Sequence, residues 1–388
     1  MKKIAIITTT RAEYGLLSPV VKALRKEEND SFRAELIVTG THLCNEYGRT
    51  IDEINDRVDR QVMIPVVSDS ELSISQNQAE CLVTFTNLFM QENYNAIILL
   101  GDRYETLAIA IAAGNTRTPV FHLSGGDTTE GALDEWIRHS ITKISYLHFV
   151  TNDESRKRVI QLGEDPSRVF NYGSTSIDNI LSVPYLSKED ALSSIGLPCC
   201  KYVLCTYHPV TMEGGNVDYQ MTELIDAIKM FPDLQFVVTK SNADQGGARI
   251  NAFLDEAEKS TENLHVFTSL GVKRYLSLMR NAELVLGNSS SGIIEAPALH
   301  VPTVNIGDRQ RGRLQSESII NCGVTTENIQ CAINVALSPG HKTICRNIVS
   351  PYGDGHAAER IAKKAIEVIM AGNIDLKKSF YGLGENVK

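Results

Sequence analysis

The sequence predicts an α/β protein of two domains, each with a parallel sheet that helices cover on both faces. Short runs of Val, Ile and Leu alternate with helix-length amphipathic segments along all 388 residues. Strands that are apolar throughout, rather than at every second residue, are typical of parallel sheets buried on both faces. The series occurs twice, and a chain of this length is too long for one compact core. We therefore predict two Rossmann-like domains.

Each half of the chain contains its own set of predicted strands. In the first half they cover residues 3–9, 34–40, 95–101, 118–124 and 147–151. Helical patterns separate them, near residues 16–27, 72–92, 104–114 and 133–145. In the second half the strands cover residues 202–208, 234–240, 264–269, 283–288 and 302–307, again with helices between them.

The two series are separated at residues 181–200, where a proline, a short helix and a second proline predict a linker. A Gly-rich turn and a long amphipathic helix close the chain within residues 350–372. Asp354 or Gly355 is the predicted N-cap of that helix, because short polar residues and glycine favour this position.

The bulk composition excludes several classes of protein. A net charge of −9 argues against a nucleic-acid partner, and no apolar segment approaches the length that spans a bilayer. The apolar run after Lys3 is too short for a signal peptide and reads as a first strand. Eight cysteines without CxxC pairs or zinc spacing predict reduced, buried residues of a cytoplasmic protein.

Cofactor motifs are missing as well. No GxGxxG follows the first strand, which disfavours a nicotinamide or flavin cofactor, and no GxxxxGK[ST] supports a P-loop ATPase. The histidines and carboxylates lack a recognisable ligand spacing, so we expect no metal.

The polar residues at the strand exits carry the functional prediction, because ligands of open α/β sheets bind at the carboxyl ends of strands. A lone Arg or Asp there is usually solvated or a cap, Asp134 and Arg138 have the spacing of a helix-surface ion pair, and His122 reads as a core histidine. However, nearly every exit carries such a group, which predicts convergence on one inter-domain cleft. The residues are Arg11, Glu13, His42, Asp102, Arg103, Glu105, Asp127, Asp134, Arg138 and His139, then His208, Asn242, Ser289, Ser290, Glu295 and Arg309.

The two halves differ in chemistry. In the second, the stretch LGNSSSGIIEAPAL ends a strand and begins a helix, which suits either anion binding or ordinary N-capping. With Glu295, Arg309 and His208 nearby, it offers groups that hold a diphosphate and a ribose. The first half offers Asp102, Asp134, Glu13, His42 and Asp127, which are groups that move protons. This combination predicts a nucleotide-sugar enzyme.

The ordered motifs resemble the UDP-N-acetylglucosamine 2-epimerase family, most closely its hydrolysing, sialic-acid-pathway branch, over nearly the whole chain. They are TRAEYGLL, VTGTH, LGDRYE, GGD…DEWIRHSITK, YHP, SNAD, GNSSSGIIEAP, NIGDRQRGR and PYGDGHAAERI. The resemblance implies a glycosyltransferase-B-like architecture whose terminal helix crosses back to the first domain. The implied domains are residues 1–180 plus 365–388 on the sugar side, and residues 181–364 on the UDP side.

The resemblance also implies roles for residues. Asp102 and Asp134 would be the catalytic carboxylates, with Arg103, His42 and Arg138 shaping the sugar site. Ser124 stands where many relatives have a glutamate or histidine, so the role of that residue does not transfer; Asp127 could replace it. The UDP portion would be bound by Arg11, His208, Asn242, Ser289, Ser290, Glu295 and Arg309.

The implied reaction converts UDP-N-acetylglucosamine and water to N-acetylmannosamine and UDP, without a cofactor. A base removes the C2 proton as UDP leaves C1 by anti elimination, and water then adds to the glycal. Two neighbouring carboxylates would push one pKa upward, which suits one acid and one base.

Several alternatives remain open. One is the same hydrolysis of UDP-N,N'-diacetylbacillosamine, and another is a non-hydrolysing epimerase that returns UDP to the glycal. A retaining glycosyltransferase and a nucleotide-sugar sensor are the other two. The partner in every case is a small molecule, and we expect a cytoplasmic homodimer or homotetramer, since apolar helices near residues 72–92 and 104–114 could support one.

Overall fold

The computed structural model describes residues 1–66, 70–129, 134–209, 217–241 and 246–382. It divides into two compact units. The first unit comprises residues 1–127, 134–179 and 352–388, and the second comprises Ile180–Pro351 with the short segment that begins at Thr128. Both units contain a parallel sheet with helices between the strands, so the predicted α/β fold class is confirmed.

The first unit has a seven-stranded sheet in the order β3-β2-β1-β4-β5-β6-β7, with every pairing parallel. The strands are β1 (Lys2–Thr8), β2 (Phe32–Thr39), β3 (Arg60–Val62), β4 (Ala96–Leu100), β5 (Val120–Leu123), β6 (Leu147–Val150) and β7 (Val169–Asn171). The helices are α1 (Arg11–Lys26), α2 (Glu71–Gln91), α3 (Tyr104–Asn115), α4 (Asp134–Ile144), α5 (Asp153–Gln161) and α6 (Thr175–Ser182).

The apolar strands of this sheet feed two cores because successive side chains point to opposite faces. On β1, Ile4 and Ile6 pack in the layer that contains α1, and Ala5 and Ile7 pack in the layer that contains α2 and α3. The strand order reverses direction between β1 and β4, and a ligand crevice is expected at such a switch point. The exits of β1 and β4 are therefore where site residues of this unit should lie.

The second unit repeats the scheme with six strands in the order β10-β9-β8-β11-β12-β13. Its switch point lies between β8 and β11. The strands are β8 (Tyr202–Thr206), β9 (Gln235–Thr239), β10 (Leu264–Phe267), β11 (Leu284–Gly287), β12 (Thr303–Ile306) and β13 (Ile319–Cys322). The helices are α7 (Lys188–Ser193), α8 (Val217–Lys229), α9 (Gly247–Glu258), α10 (Gly271–Asn281), α11 (Ser290–Ala298), α12 (Thr326–Leu337) and α13 (Pro339–Arg346).

The last helix, α14 (Ala357–Ala371), belongs to the first unit, where it packs against α1. The predicted caps Asp354 and Gly355 were wrong, because the N-cap is His356 and its side chain makes no capping bond. Instead, the Asp178 carboxylate of α6 accepts the N–H groups of Ala357 and Ala358, at 3.2 and 2.9 Å. The chain already joins the first unit at Tyr352, whereas the sequence predicts its return at residue 365.

The structure also bears on the predictions for the cysteines and for membrane-spanning segments. All eight cysteines are free, but only Cys81, Cys205 and Cys345 are buried. The prediction that the cysteines are buried was wrong for exposed Cys199 and Cys331, and the other three are partly buried. Within the described ranges, no helix is both long and apolar enough to cross a membrane.

Candidate active site

A charged cluster lies at the exit of β4 in the first unit. Asp102 follows Gly101, which adopts a left-handed φ of 82°. From α4, the Arg138 side chain, only 1% exposed, donates from Nε to Asp102 Oδ2 at 2.8 Å and also from Nη2 to the same oxygen. Its Nη1 donates to the carbonyl of Asp127 and to Glu135 Oε2, at 2.8 and 2.9 Å.

Arg138 is therefore a buried cation surrounded by acceptors rather than half of a helix-surface ion pair. Burial opposes its charge, but Asp102, Asp127 and Glu135 outweigh that effect and raise the pKa of the guanidinium. The clamp holds one oxygen of Asp102, and Oδ1 has no hydrogen-bond partner among the described residues. Asp134, the first residue of α4, lies one helical turn before Arg138.

The peptide before Asp102 is held by His122, a fully buried residue of β5. Burial lowers the pKa of His122 to about 4, so the ring is neutral at pH 7. Its Nε2 donates to the Gly101 carbonyl at 2.9 Å, and its Nδ1 is buried without a partner in the described part of the chain. The predicted core histidine is thus only half satisfied, and it acts on the backbone that presents Asp102.

Asp127 is fastened into the fold. Its Oδ1 accepts from the Thr151 hydroxyl at 2.7 Å and the Ser155 hydroxyl at 2.6 Å, and its side chain is buried. This geometry favours a role in shaping the loop after β5 over transfer of a proton. Ser124, at the start of that loop, adopts a φ of 62°, which is uncommon for a residue other than glycine.

His42 lies in a single helical turn after β2 and is completely buried. Its Nε2 lies 3.1 Å from the Thr8 hydroxyl and its Nδ1 lies 2.9 Å from the Thr50 hydroxyl. Burial lowers the pKa of the ring to about 4. A neutral ring with both nitrogens bonded supports the walls of a site, as the resemblance implies, and is poorly placed to collect a proton.

Glu13 closes the turn between β1 and α1. Its Oε2 accepts from Thr9 N at 2.8 Å, the Thr9 hydroxyl at 2.7 Å and Thr10 N at 3.3 Å. Burial raises its pKa to about 7, although the Arg103 charge and these hydrogen bonds act in the opposite direction. Arg11 begins α1 and is part-buried beside this turn.

Arg103 and Glu105 form an ion pair at the start of α3. Arg103 Nε lies 3.2 Å from Glu105 Oε2. Glu105 is fully buried, and its Oε1 is without a hydrogen-bond partner in the described ranges. Arg103 is part-exposed and so can reach a ligand, as the resemblance implies.

In the second unit, the side-chain amide of Asn288 connects the exits of β8 and β11. Gly287 ends β11 with a φ of 126°, and a Cβ there would collide with the Thr206 carbonyl. The next residue, Asn288, is fully buried and bonds both backbone groups of His208: Oδ1 accepts its N–H at 2.7 Å, and Nδ2 donates to its carbonyl at 2.8 Å. The His208 ring is held by Ser241 at 3.1 Å.

The serines form the N-terminus of α11. Ser289 is the N-cap and its hydroxyl accepts from Ser291 N, while Ser290 is the first helical residue. The Ser291 hydroxyl lies 2.6 Å from the Tyr275 hydroxyl. Arg309 Nη1 donates to the Asn288 carbonyl at 3.3 Å, which places a guanidinium beside this turn. First-turn N–H groups, hydroxyls and a cation together favour an anion.

Glu295 lies on the same helix, one turn further along. It is part-buried and has no hydrogen-bond partner in the part of the chain that the structure describes. Burial raises its pKa to about 7. A carboxylate without donors is costly to bury, so this arrangement favours a ligand that supplies hydroxyl donors.

A cleft of about 660 Å³ lies in this unit between Tyr207, the turn after β12 and the end of β13. Buried Asn305 lines the cleft, and its Oδ1 lacks a partner among the described residues. Of the predicted binding residues, Asn242 lies outside the described residues. No group of three or more His, Cys, Asp or Glu residues suited to a metal occurs in the described ranges.

Comparison with known proteins identifies the family of this chain. A sequence profile of the family described as UDP-N-acetylglucosamine 2-epimerase matches residues 22–366. The chain belongs to the UDP-N-acetylglucosamine 2-epimerase family. The resemblance predicted from its motifs is confirmed.

Individual members of the epimerase family are similar along most of the chain. The polysialic acid biosynthesis protein P7 of Escherichia coli is 36% identical, with 99% of this chain and 98% of that protein covered. A hydrolysing GDP/UDP-N,N'-diacetylbacillosamine 2-epimerase of Campylobacter jejuni is also 36% identical, with 82% and 84% covered. The solved UDP-GlcNAc 2-epimerase of Neisseria meningitidis, bound to UDP-GlcNAc, shares the fold at a TM-score of 0.77 and 20% identity, over 95% and 100% of the chains.

Sequence reasoning did not single out several residues that build the candidate site. Asn288 lies within the quoted stretch GNSSSG, but its two bonds to the His208 backbone join residues 80 apart in the chain and leave no local pattern. Tyr275 and Gln310 gave no signal: a helical tyrosine and a loop glutamine acquire their contacts to Ser291 and the Asn288 carbonyl only through the tertiary fold.

Proposed function

We propose that this chain is a hydrolysing UDP-N-acetylglucosamine 2-epimerase, which converts UDP-N-acetylglucosamine and water to N-acetylmannosamine and UDP. The observation that carries the proposal is the clamp on Asp102. Buried Arg138 holds one of its oxygens and leaves Oδ1 without a partner among the described residues, and the side chain is 24% exposed. A carboxylate that is oriented but open on one oxygen suits proton transfer to or from a substrate carbon.

The second unit supplies the groups that a nucleoside diphosphate requires. The N-terminus of α11 and Arg309 meet the charge that grows on UDP as it leaves, and such donors contribute roughly 3–4 kcal/mol each where charge develops. Glu295 accepts the ribose hydroxyls in place of the donors it lacks. His208, Ser289 and Ser290 complete the binding surface of this unit. Arg11 is a further UDP ligand that the resemblance implies.

The reaction follows from these groups. One carboxylate takes the proton from C2, the electrons of that C–H bond form the C1=C2 bond, and the C1–O bond to UDP breaks. The oxygen of a water molecule then bonds to C1 while C2 receives a proton on its opposite face, which yields the free manno sugar. Asp102 and Asp134 divide the two proton transfers between them. Arg103, His42 and Arg138 position the sugar and the two carboxylates.

A second substrate is favoured by one specific observation. Ser124 has a small side chain at a strand exit where the family resemblance implies a glutamate or histidine, and the Campylobacter jejuni relative is named for GDP/UDP-N,N'-diacetylbacillosamine. The same chemistry on that sugar, which carries a second acetamido group at C4, is therefore the alternative proposal.

To test the proposal, the purified protein is incubated with UDP-N-acetylglucosamine or UDP-N,N'-diacetylbacillosamine in H₂O and in D₂O, and the products are followed by NMR. We expect free UDP and a free 2-epimerised sugar that carries deuterium at C2. Epimerised UDP-sugar without released UDP would replace the proposal with a non-hydrolysing reaction. Release of UDP without deuterium at C2 would exclude the elimination.

A further inference from the structure

Lys378 connects the segment after α14 to the end of α4 in the first unit. The helix ends at Gly372 with a left-handed φ of 69°, and the following residues form no helix or strand up to residue 382. Within this tail, Phe380 is 73% exposed although its ring lies against Gly163, and part-buried Ile374 packs against the core of the first unit. The polar contacts come from Lys378 and from Tyr381, whose N–H donates to the Gly163 carbonyl at 2.9 Å.

Lys378 uses all three donors of its ammonium group. Its Nζ donates to the carbonyl of Lys143 at 2.9 Å and to the carbonyl of Ser145 at 2.7 Å, and it lies 2.5 Å from Glu164 Oε2. The two carbonyls lie at the C-terminal end of α4, where backbone carbonyls have no partner within the helix and the helix dipole favours a cation. The side chain is 21% exposed.

Glu164 is the centre to which this end of α4 is anchored. The carboxylate is 1% exposed and lies 2.6 Å from Lys143 Nζ and 3.0 Å from His148 Nε2. Burial alone would raise the pKa of Glu164, but the hydrogen bonds from His148, Lys143 and Lys378 lower it to about 2. The tail, the end of α4 and β6 therefore meet on one buried anion.

The other end of α4 carries the residues of the candidate site. Asp134 is its first residue and Arg138, one turn later, holds Asp102. A helix of 11 residues moves as a rigid rod, so a change in its position at the C-terminal end is transmitted to both residues. No other residue of the described tail, 373–382, contacts the carbonyls of α4.

We infer that Lys378 is a positioning residue for catalysis: it caps α4 from the C-terminal tail and thereby sets the position of Asp134 and Arg138. The inference rests on the proposed 2-epimerase function. It extends that function to a residue outside the candidate site.

The test compares Lys378→Met with Lys377→Met, a matched control at an exposed neighbouring lysine without a contact to α4. We expect Lys378→Met to lower kcat about tenfold or more, because small displacements of catalytic groups cost rate steeply. The KM for the UDP-sugar and the affinity for UDP should stay within about twofold, and Lys378→Arg should recover part of the loss. Lys377→Met should match the wild type.

Hydrogen exchange of the α4 amides supplies a readout that does not depend on turnover. The amides of residues 139–144 should exchange faster in Lys378→Met than in the wild type. In Lys377→Met their exchange rates should equal those of the wild type. Equal kcat in the two variants overturns the inference. A parallel loss of kcat, UDP affinity and melting temperature also overturns it, in favour of a general role in stability. If the wild type releases no UDP, the proposed function fails, and the exchange comparison still decides whether Lys378 positions α4.

Discussion

At the scale of single residues, the pairing of Asp102 with Arg138 shows how one side chain can be oriented without being neutralised. Arg138 has further acceptors in Glu135 and the Asp127 carbonyl, so its charge does not depend on Asp102 alone. If the contact to Asp102 loosens during a reaction, the guanidinium therefore keeps two other acceptors.

Asp102→Asn preserves the shape of the side chain and removes the acidic group. We expect kcat to fall by about 10²–10⁴-fold, the usual contribution of a positioned acid or base. The affinity for UDP, measured by titration calorimetry, should be unchanged because the second unit supplies most of the groups for UDP. Asp30→Asn, at an exposed carboxylate, is the control and should retain full activity. Full activity of Asp102→Asn would remove this residue from the mechanism.

Glu295 predicts a pH dependence of nucleoside binding. Its pKa is raised to about 7 by burial, so the ionised fraction rises from roughly one-tenth at pH 6 to nine-tenths at pH 8. Only the ionised carboxylate accepts hydrogen bonds from both ribose hydroxyls. The affinity for a nucleoside should therefore increase about tenfold from pH 6 to pH 8 and decrease again as the pH is lowered. Uridine is the ligand to measure, since it has no phosphate that titrates. Glu295→Gln should bind weakly and without this dependence; an unchanged pH profile in the variant would contradict the assignment.

At the scale of elements, the junction between β11 and α11 depends on one glycine. A Cβ at Gly287 would meet the Thr206 carbonyl, and its φ of 126° is unfavourable for other residues. Gly287→Ala should lower the free energy of unfolding by about 1–3 kcal/mol, measured in urea. Gly340→Ala in α13 is the control, because a Cβ there meets nothing within 4 Å and should change stability by less than about 1 kcal/mol. Equal effects of the two substitutions would show that the junction is not strained.

The N-terminus of α14 depends on a carboxylate far away in sequence. Asp178→Ala leaves the N–H groups of Ala357 and Ala358 without their acceptor and should cost about 1–2 kcal/mol of unfolding free energy. Asp354→Ala, which removes an exposed pair with Arg360 and an exposed 3.3 Å hydrogen bond from the His356 N–H, should cost less than Asp178→Ala. Chemical denaturation of both variants checks the difference, and the reverse order of stability would restore Asp354 as the cap.

The helices and strands differ in how well the sequence predicts them. The long apolar strands, such as β1 and β4, were predicted to within about two residues because continuous hydrophobic runs have few alternative structures. The strands β3, β7 and β13 were missed, since each is short and only partly buried. Asp178 was missed as a cap because it acts across 179 residues of chain. Arg138 was recognised as a candidate, but its burial arises from the loop after β5 and has no local pattern.

At the scale of the whole molecule, each unit has apolar cores of its own on both faces of its sheet. We therefore expect two unfolding transitions. The single tryptophan, Trp136, lies on α4 of the first unit and reports that unit by fluorescence, whereas circular dichroism reports both. Uridine at about 100 times its Kd should stabilise the second unit by about 2.7 kcal/mol and leave the fluorescence transition in place. A shift of both transitions by the same amount would contradict a nucleoside site confined to the second unit.

The repetition of one strand order in both units explains why candidate site residues could be named from the sequence. With the reversal point between β1 and β4, and again between β8 and β11, the exits TTTR, GD, YHP and GNSSSG are the positions where ligands are expected. The assembly state carries no comparable signal, and a cytoplasmic homodimer or homotetramer stays a prediction.

The return of α14 to the first unit has a consequence for synthesis on the ribosome. The second unit, Ile180–Pro351, has been translated completely before Ala358, Ile361 and Ala365 exist to cover the α1 side of the first sheet. The apolar layer on this side of the nascent first unit therefore stays uncovered until α14 has been translated. A premature stop codon just before α14 would leave the first unit without part of its core and spare the second unit, which precedes the helix in the chain.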